Sequence, residues 1–383
     1  MTPRRTLLFL VTEDWYFVSH RLALAEAAIA QGWKVVVATR VGTHAATIVG
    51  SACELRPLRW HRSRNGPISH LRALLEIRTV LRDVRPDVVH LVALKPVVFG
   101  TVALRLGRER AARVNAVAGL GFAFSSRTLR ARLMRTVLQP LLRMALGGDR
   151  QVTIVQNQAD RDTIVARGLA RPDRVRLIRG AGVDPARYAG PRRPTTPPVV
   201  IMVSRMLWDK GVGRFVTAAQ ALRARGVNAR FVLIGTPDPD NPGSVPVDQL
   251  ERWRTRGTVE WWGHQENIPK VLAGASVFCL PTEYGEGIPR SLLEAAAAGL
   301  AIVATDQPGC REVIDTEANG LLVPPGDPKA LCDALERVIL DPELRSRLGA
   351  AARATIANGF TLQQVIGETL GVYDALTEGT APR

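Results

Sequence analysis

Cysteine is scarce in this chain of 383 residues, and none of its four cysteines, Cys53, Cys279, Cys310 and Cys332, stands in a C-x-x-C pair. Cys279 sits inside an apolar strand pattern. Scattered cysteines of this kind are expected to be buried, reduced thiols in a reducing cytoplasm. Aromatics make up only 5% of the residues. With so few rings to stack bases, no zinc-finger spacing and no RNA-recognition aromatic motif, nucleic acid is a poor candidate partner. Long apolar runs are missing too. Leu7 to Val11, after Arg4 and Arg5, is too short for a signal peptide and stops at Glu13-Asp14. Nothing approaches the ~20 apolar residues of a membrane span. Gly-x-Ser-x-Gly and Walker A sequences are absent, as are His, Cys or Asp clusters at metal-ligand spacing, so no metal or other cofactor is expected.

What is present is ordinary in bulk and uneven in charge. Hydrophobic residues are 46% and charged residues 22%, values of a folded globular chain long enough for two domains. Residues 1–196 carry 33 Lys and Arg against 13 Asp and Glu, a surplus of 20 positive charges; the remainder carries 18 against 22. That asymmetry points to an anionic partner for the first half, either membrane phospholipid or a substrate bearing diphosphate. Within it, Ser126 to Leu146 sets Arg127, Arg130, Arg132, Arg135 and Arg143 among Leu, Met and Val, a pattern shared by interfacial helices and by core helices with a solvated edge.

Apolar runs of strand length alternate with amphipathic helical segments from end to end. Residues 6–12, 34–40, 87–93, 113–119 and 151–157 are expected strands, with helices such as 19–31 and 67–84 between them. After the Pro-rich stretch 191–198, the best linker candidate, a second series follows at 199–204, 230–235, 258–263, 276–281 and 301–305. Such alternation predicts α/β architecture, two doubly wound Rossmann-like parallel sheets with a cleft between them. The boundaries expected are 1–192 and 193–361, with the last helix, near 362–378, returning to the first domain. Ligands of these sheets bind beyond the carboxyl ends of the strands.

Residues 282–299, Thr-Glu-Tyr-Gly-Glu-Gly-Ile-Pro-Arg-Ser-Leu-Leu-Glu-Ala-Ala-Ala-Ala-Gly, concentrate the chemistry. Pro289 suits a first helical position, leaving the N–H groups of Arg290, Ser291 and Leu292 at the positive helix end as an anion site. Glu286 precedes the helix and Glu294 lies within it, seven residues between them. A ligand with hydroxyls and phosphates, such as a nucleotide sugar, fits this set. Arg205 and Lys210 follow the strand at 199–204 and hang over the same terminus.

The Glu-x7-Glu of Glu286 and Glu294 resembles the signature of family 4 retaining glycosyltransferases of GT-B fold, and residues 203–211, Val-Ser-Arg-Met-Leu-Trp-Asp-Lys-Gly, resemble that family's diphosphate-binding Arg and Lys. Stretches 17–22, 115–121, 155–161 and 262–269 resemble its branch that builds polyprenol-linked polysaccharides. The resemblance implies that Arg205 and Lys210 stabilise the departing diphosphate, that Glu286 holds sugar hydroxyls and Glu294 ribose hydroxyls. It implies a sugar pocket lined by Gly285, Gly287, Ile288 and Arg290, beside the helix-start donors of Ser291 and Leu292. Gly235 ends a strand where the backbone passes close to a diphosphate. Trp262, His264, Asn267 and Ile268 follow another strand end as a wall for the base, although core packing explains Trp262 equally well. The acceptor, a lipid-linked or soluble glycan, falls to the first domain, where Asp14, His20, His90, Lys95 and Gly119 lie near strand ends; His20 and His90 are candidates by position only, with a structural role equally open. Many members place a His near the sugar; the aligned stretch Asn115-Ala-Val-Ala-Gly-Leu-Gly121 has none. The expected activity is transfer of a hexose or N-acetylhexosamine from a UDP sugar at the inner membrane face.

Two other readings keep part of these observations. A nucleotide-sugar 2-epimerase uses two such domains, and a non-enzymatic polyanion binder would explain the net charge alone. Asp238-Pro-Asp240 also looks like the Asp-x-Asp metal site of the other, metal-dependent glycosyltransferase fold, although it lies in a Pro-rich loop.

Overall fold

The structure, a computed structural model, describes residues 5–60, 66–108, 110–120, 124, 129–191 and 195–378. Arg4, Gly121, Arg127 and residues 192–194 of the expected linker lie outside these, as do the side chains of Arg130 and Arg132. The chain forms two compact units. One comprises Met1–Ala181 with Val365–Arg383, the other Gly182–Gln364.

The first unit holds a seven-stranded parallel sheet in the order β3-β2-β1-β4-β5-β6-β7. Its strands are β1 Thr6–Glu13, β2 Lys34–Arg40, β3 Glu54–Pro57, β4 Val88–Val92, β5 Ala112–Val117, β6 Gln151–Val155 and β7 Val175–Leu177. Alternation along β1 explains its two-sided burial. Leu7, Phe9 and Val11 enter one apolar cluster with Phe17 and Tyr373; Leu8 and Leu10 enter another with Ile77, Val97 and Leu142. Both faces are thus covered by helices, which a parallel sheet requires.

The second unit holds a six-stranded parallel sheet in the order β10-β9-β8-β11-β12-β13. The strands are β8 Val199–Val203, β9 Arg230–Ile234, β10 Glu260–Trp261, β11 Val277–Leu280, β12 Ala301–Thr305 and β13 Leu321–Val323. In both sheets the order reverses next to the first strand, between β1 and β4 and between β8 and β11. Crevices beyond strand ends form at such points.

The division falls at Ala181–Gly182, ahead of the Pro-rich stretch. Val183 donates to the Phe360 carbonyl at 3.0 Å and accepts from the Leu362 N–H at 2.9 Å, so the segment after Gly182 is tied into the second unit. Gly182 has φ +70°, and a Cβ there would meet the Leu362 Cα at 2.7 Å, so glycine is required at this crossing. The expected helix at 19–31 is instead two helices, Asp14–His20 and Leu22–Ala30, broken at Arg21.

All four cysteines are buried and unpaired. No helix among the described residues is long and apolar enough to cross a membrane.

Candidate active site

In the second unit the exits of β8 and β11 touch. Gly211, with φ +84°, closes the β8 exit; a Cβ on it would stand 1.9 Å from the Pro281 carbonyl oxygen at the β11 exit. Two further bonds lace the segments: the Glu283 N–H donates to the Asp209 carbonyl at 2.9 Å and the Thr282 hydroxyl to the same oxygen at 3.2 Å. This lacing sets Lys210 against Glu286, whose carboxylate pairs with the ammonium; the two side chains are 19% and 31% exposed. A partly exposed pair of opposite charge at the strand-order reversal is chemically available to a ligand. Beside it, Arg214 pairs with Glu283 at 2.7 Å. Burial, then the Glu283 charge, raises the Asp209 carboxyl above its usual range.

The loop carrying Glu286 is pressed onto the neighbouring β12 exit. A Cβ on Gly309 would sit 2.0 Å from the Gly287 carbonyl oxygen, and Gln307 Nε2 donates to the Glu283 carbonyl at 3.0 Å. Underneath lies Cys310, whose thiol is pushed up to about 12 by burial and by the charge of Glu286. Gly287 and Ile288 are buried here.

The helix that follows is Arg290–Ala297, and Pro289 is its cap residue, with ψ 124°, one position earlier than expected. The Leu292 N–H donates to the Pro289 carbonyl at 3.1 Å. The anion-facing donors at this helix start are therefore those of Arg290 and Ser291, not three in a row. Arg290 Nε donates to Glu294 one turn on, at 2.9 Å. Glu294 is buried, and Tyr188 lies against it: burial, then that carboxylate, raise the Tyr188 hydroxyl well above the ordinary phenol range. At the other end Arg353 donates to the carbonyls of Ala297 and Ala298 at 3.1 and 2.9 Å, satisfying helix-end acceptors and fixing the helix.

Arg205 leaves β8 and pairs with Asp238 at 2.5 Å. The Asp238 N–H in turn donates to the Ser244 hydroxyl at 2.9 Å. In the Asp238-x-Asp240 pair, Asp238 is thus engaged by an arginine, and no trio of described His, Cys, Asp or Glu side chains is placed to hold a metal. Gly235 has φ +128°, and a Cβ would be 1.9 Å from the Ser204 carbonyl oxygen. Its N–H donates to the Gly263 carbonyl at 2.8 Å, which brings exposed His264 to the same end of the sheet. Ile268 is half-buried against the core, and Asn267 caps the next helix through the Lys270 N–H at 3.1 Å. Trp262 turns along the sheet edge, its Nε1 donating to Glu260 at 3.0 Å, where it lines a cavity of about 340 Å³ with Arg223 and Arg254. The structure therefore joins Lys210 to Glu286, keeps Arg205 on the same β8 exit and Gly235 on the neighbouring β9 exit, and pairs Glu294 with Arg290. Sequence reading missed Asp209, Glu283, Gly309 and Tyr188; glycine at 309, within a motif-free stretch, gave no signal of the contact it permits.

The first-unit candidates are mostly committed to the fold. Asp14 is buried and accepts the N–H groups of Trp15, Gly42 and His44 at 2.7, 2.7 and 2.9 Å, which clamps the β2 exit to the β1 exit. His90 is a core residue, bonded to the Tyr373 hydroxyl at 2.5 Å and stacked on Phe9. Its pKa is held well below the ordinary value by burial and then by the Arg21 charge. Neither side chain offers itself to an acceptor. His20 bonds Ser19 at 2.6 Å and stacks on Tyr16. Lys95 lies over the Trp60 ring at 5.4 Å, its pKa lowered by burial against the opposing charge of Glu13. Gly119 adopts φ +134° after β5. Part of the arginine surplus also has local work: Arg113 donates to the carbonyls of Ala145 and Gly147, and Arg143 to those of Arg167 and Gly168.

Two family models match the chain, "Glycosyl transferase 4-like" over residues 6–157 and "Glycosyl transferases group 1" over residues 188–355. Fold and matches together define a glycosyltransferase of the two-domain GT-B type. The N,N'-diacetylbacillosaminyl-diphospho-undecaprenol alpha-1,3-N-acetylgalactosaminyltransferase of Campylobacter jejuni is 28% identical over 76% of this chain and 78% of its own. WcaL of Escherichia coli K12, named for colanic acid biosynthesis, is 30% identical over 51% of this chain and 50% of its own length. Anabaena HepE, solved with UDP and glucose, superposes with a TM-score of 0.75 over 95% of this chain and 99% of that one, at 19% identity. The chain belongs to glycosyltransferase family 4.

Proposed function

We propose that this glycosyltransferase moves a hexose or N-acetylhexosamine, with retention of anomeric configuration, from a UDP sugar bound by the second unit to a glycan acceptor carried on a polyprenyl diphosphate. The observation that carries the reading is the Lys210–Glu286 pair at the strand-order reversal, with Arg205 on the same exit. Diphosphate leaving the anomeric carbon gains negative charge, and cations set in place beforehand lower that barrier. On donor binding Lys210 exchanges its carboxylate partner for a phosphate oxygen, which frees Glu286 to accept sugar hydroxyls. No metal or cofactor enters this scheme. The donor class is supported by the UDP and glucose named with the Anabaena neighbour, and the lipid-linked acceptor by the name of the Campylobacter relative.

Contact of the first unit with an anionic membrane belongs to the same reading. Ile68, Leu71 and Leu75 share one exposed face of the helix Pro67–Val84, and Leu133 and Met134 are exposed on Leu129–Leu146, in the strongly basic half of the chain.

The test is transfer from a panel of radiolabelled nucleotide sugars with and without a polyprenyl-diphosphate saccharide. Acceptor-dependent transfer, lost in Glu286→Gln, is expected. Conversion of the donor without acceptor would support the epimerase instead, and binding of polyanions unchanged by Glu286→Gln with no turnover would support the non-enzymatic reading.

A further inference from the structure

Arg21 is 6% exposed, yet no described carboxylate pairs with it and its Nε has no hydrogen-bond partner. Arg21 stands at the break between two helices, with φ −130° and ψ −14°, and lines a small cavity. A second buried group shares the space. His90 is 1% exposed, its Nδ1 is bonded to Tyr373, and its Nε2 has no partner.

Arg21, His90, Gln156 and Thr369 line a cavity of about 10 Å³ at the carboxyl ends of β5 and β6, with Ala116, Val117 and Ile154 as its apolar wall. That volume is the space within which the centre of one small particle can sit, room for a single water or a single small ion. The Thr369 hydroxyl proton is committed to the Val365 carbonyl at 2.7 Å. We take the tautomer in which the Tyr373 hydroxyl donates to Nδ1 and the ring proton of His90 sits on Nε2, which makes both orphaned atoms donors. No acid lines the cavity among the described residues. A water would accept the two bonds but leave the guanidinium charge uncompensated, and burying an unpaired charge is unfavourable.

We propose that Arg21 and His90 bind a single chloride-sized anion in the core of the first unit. The ion neutralises Arg21 and accepts from both nitrogens. It stiffens the broken helix pair against β4 and the returning helix. This goes beyond the transfer reaction and stands or falls separately from it.

The test uses the full chain in sodium gluconate, chloride, bromide and phosphate at matched ionic strength and pH. Chloride and bromide at ~150 mM should raise the unfolding temperature by roughly 2–6 °C over gluconate, and phosphate should not. Arg21→Met should abolish the difference. Crystals soaked in bromide should show an anomalous peak within hydrogen-bond distance of Arg21 Nε and His90 Nε2, a readout that holds even where the variant fails to fold. Equal unfolding temperatures in all salts, halide stabilisation retained by Arg21→Met, or a water molecule only at that position would overturn the proposal. Stabilisation by phosphate alone would overturn it as well, since a tetrahedral oxyanion does not fit one atom's space.

Discussion

The two units share a sheet plan and use its turning point in opposite ways. Where β8 and β11 diverge, Lys210 and Glu286 meet side chain to side chain and both stay partly open to solvent. Where β1 and β4 diverge, Asp14 is saturated by three backbone N–H groups and His90 is sealed behind Tyr373. Position beyond a strand end is common to both. What separates the candidate ligand site from the clamp is whether the charged group is buried or reaches solvent beside a mobile side chain that a ligand can replace.

Several substitutions break or sharpen this contrast. The largest effect is expected at the exposed pair: Lys210→Ala or Glu286→Gln should lower kcat/KM for sugar transfer about 10²–10³-fold while leaving the unfolding temperature nearly unchanged. Activity within a few-fold of wild type in both variants would remove the functional half of the contrast. Next comes the joint beneath that pair. Gly211→Ala forces a Cβ toward the Pro281 carbonyl at positive φ and should cost about 2–4 kcal/mol in urea unfolding, because both backbone strain and overpacking are involved. A loss under 1 kcal/mol would mean the two exits are not held in contact there.

The first unit answers to pH. His90 is neutral when folded because its pKa is depressed by burial and the Arg21 charge, whereas the unfolded chain takes up a proton below about 6.5. Its contribution is therefore fully present above that pH and lost as pH falls, by about 1.4 kcal/mol for each unit below it. Urea titrations between pH 7.5 and 5 should show that slope, and His90→Gln should flatten it; an unchanged slope would contradict the buried neutral assignment. The smallest effect is expected at Asp14→Asn. Weakening its bonds to Gly42 and His44 should cost about 1–2 kcal/mol of stability and leave UDP binding by the second unit unaltered.

Much of the fold was legible because long buried strands declare themselves. Residues 34–40, 151–155, 199–203 and 301–305 form strands where apolar runs predicted them. The strands not foreseen, β3, β7 and β13, have three or four residues each, and β10 shrank to two; all four are sheet edges. Three residues carry no readable period, and an edge strand has less apolar surface to bury. The site was legible as a set of residue types but not as a set of partners. Lys210 and Glu286 are 76 positions apart, and only the sheet order brings their loops together. The same holds for Arg205 with Asp238 and for Glu294 with Tyr188. Asp14 and His90 looked equally eligible because sequence records neither the backbone amides around a carboxylate nor the tyrosine that returns from residue 373.

The measurement that bears most directly on the donor site is calorimetric titration of UDP and a panel of UDP sugars into wild type, Lys210→Ala and Arg205→Ala. A diphosphate held by these cations predicts saturable binding in wild type, weakened at least tenfold by either substitution, with the folded state intact by unfolding temperature. Equal affinity in all three proteins would contradict it and would move the donor to another part of the molecule.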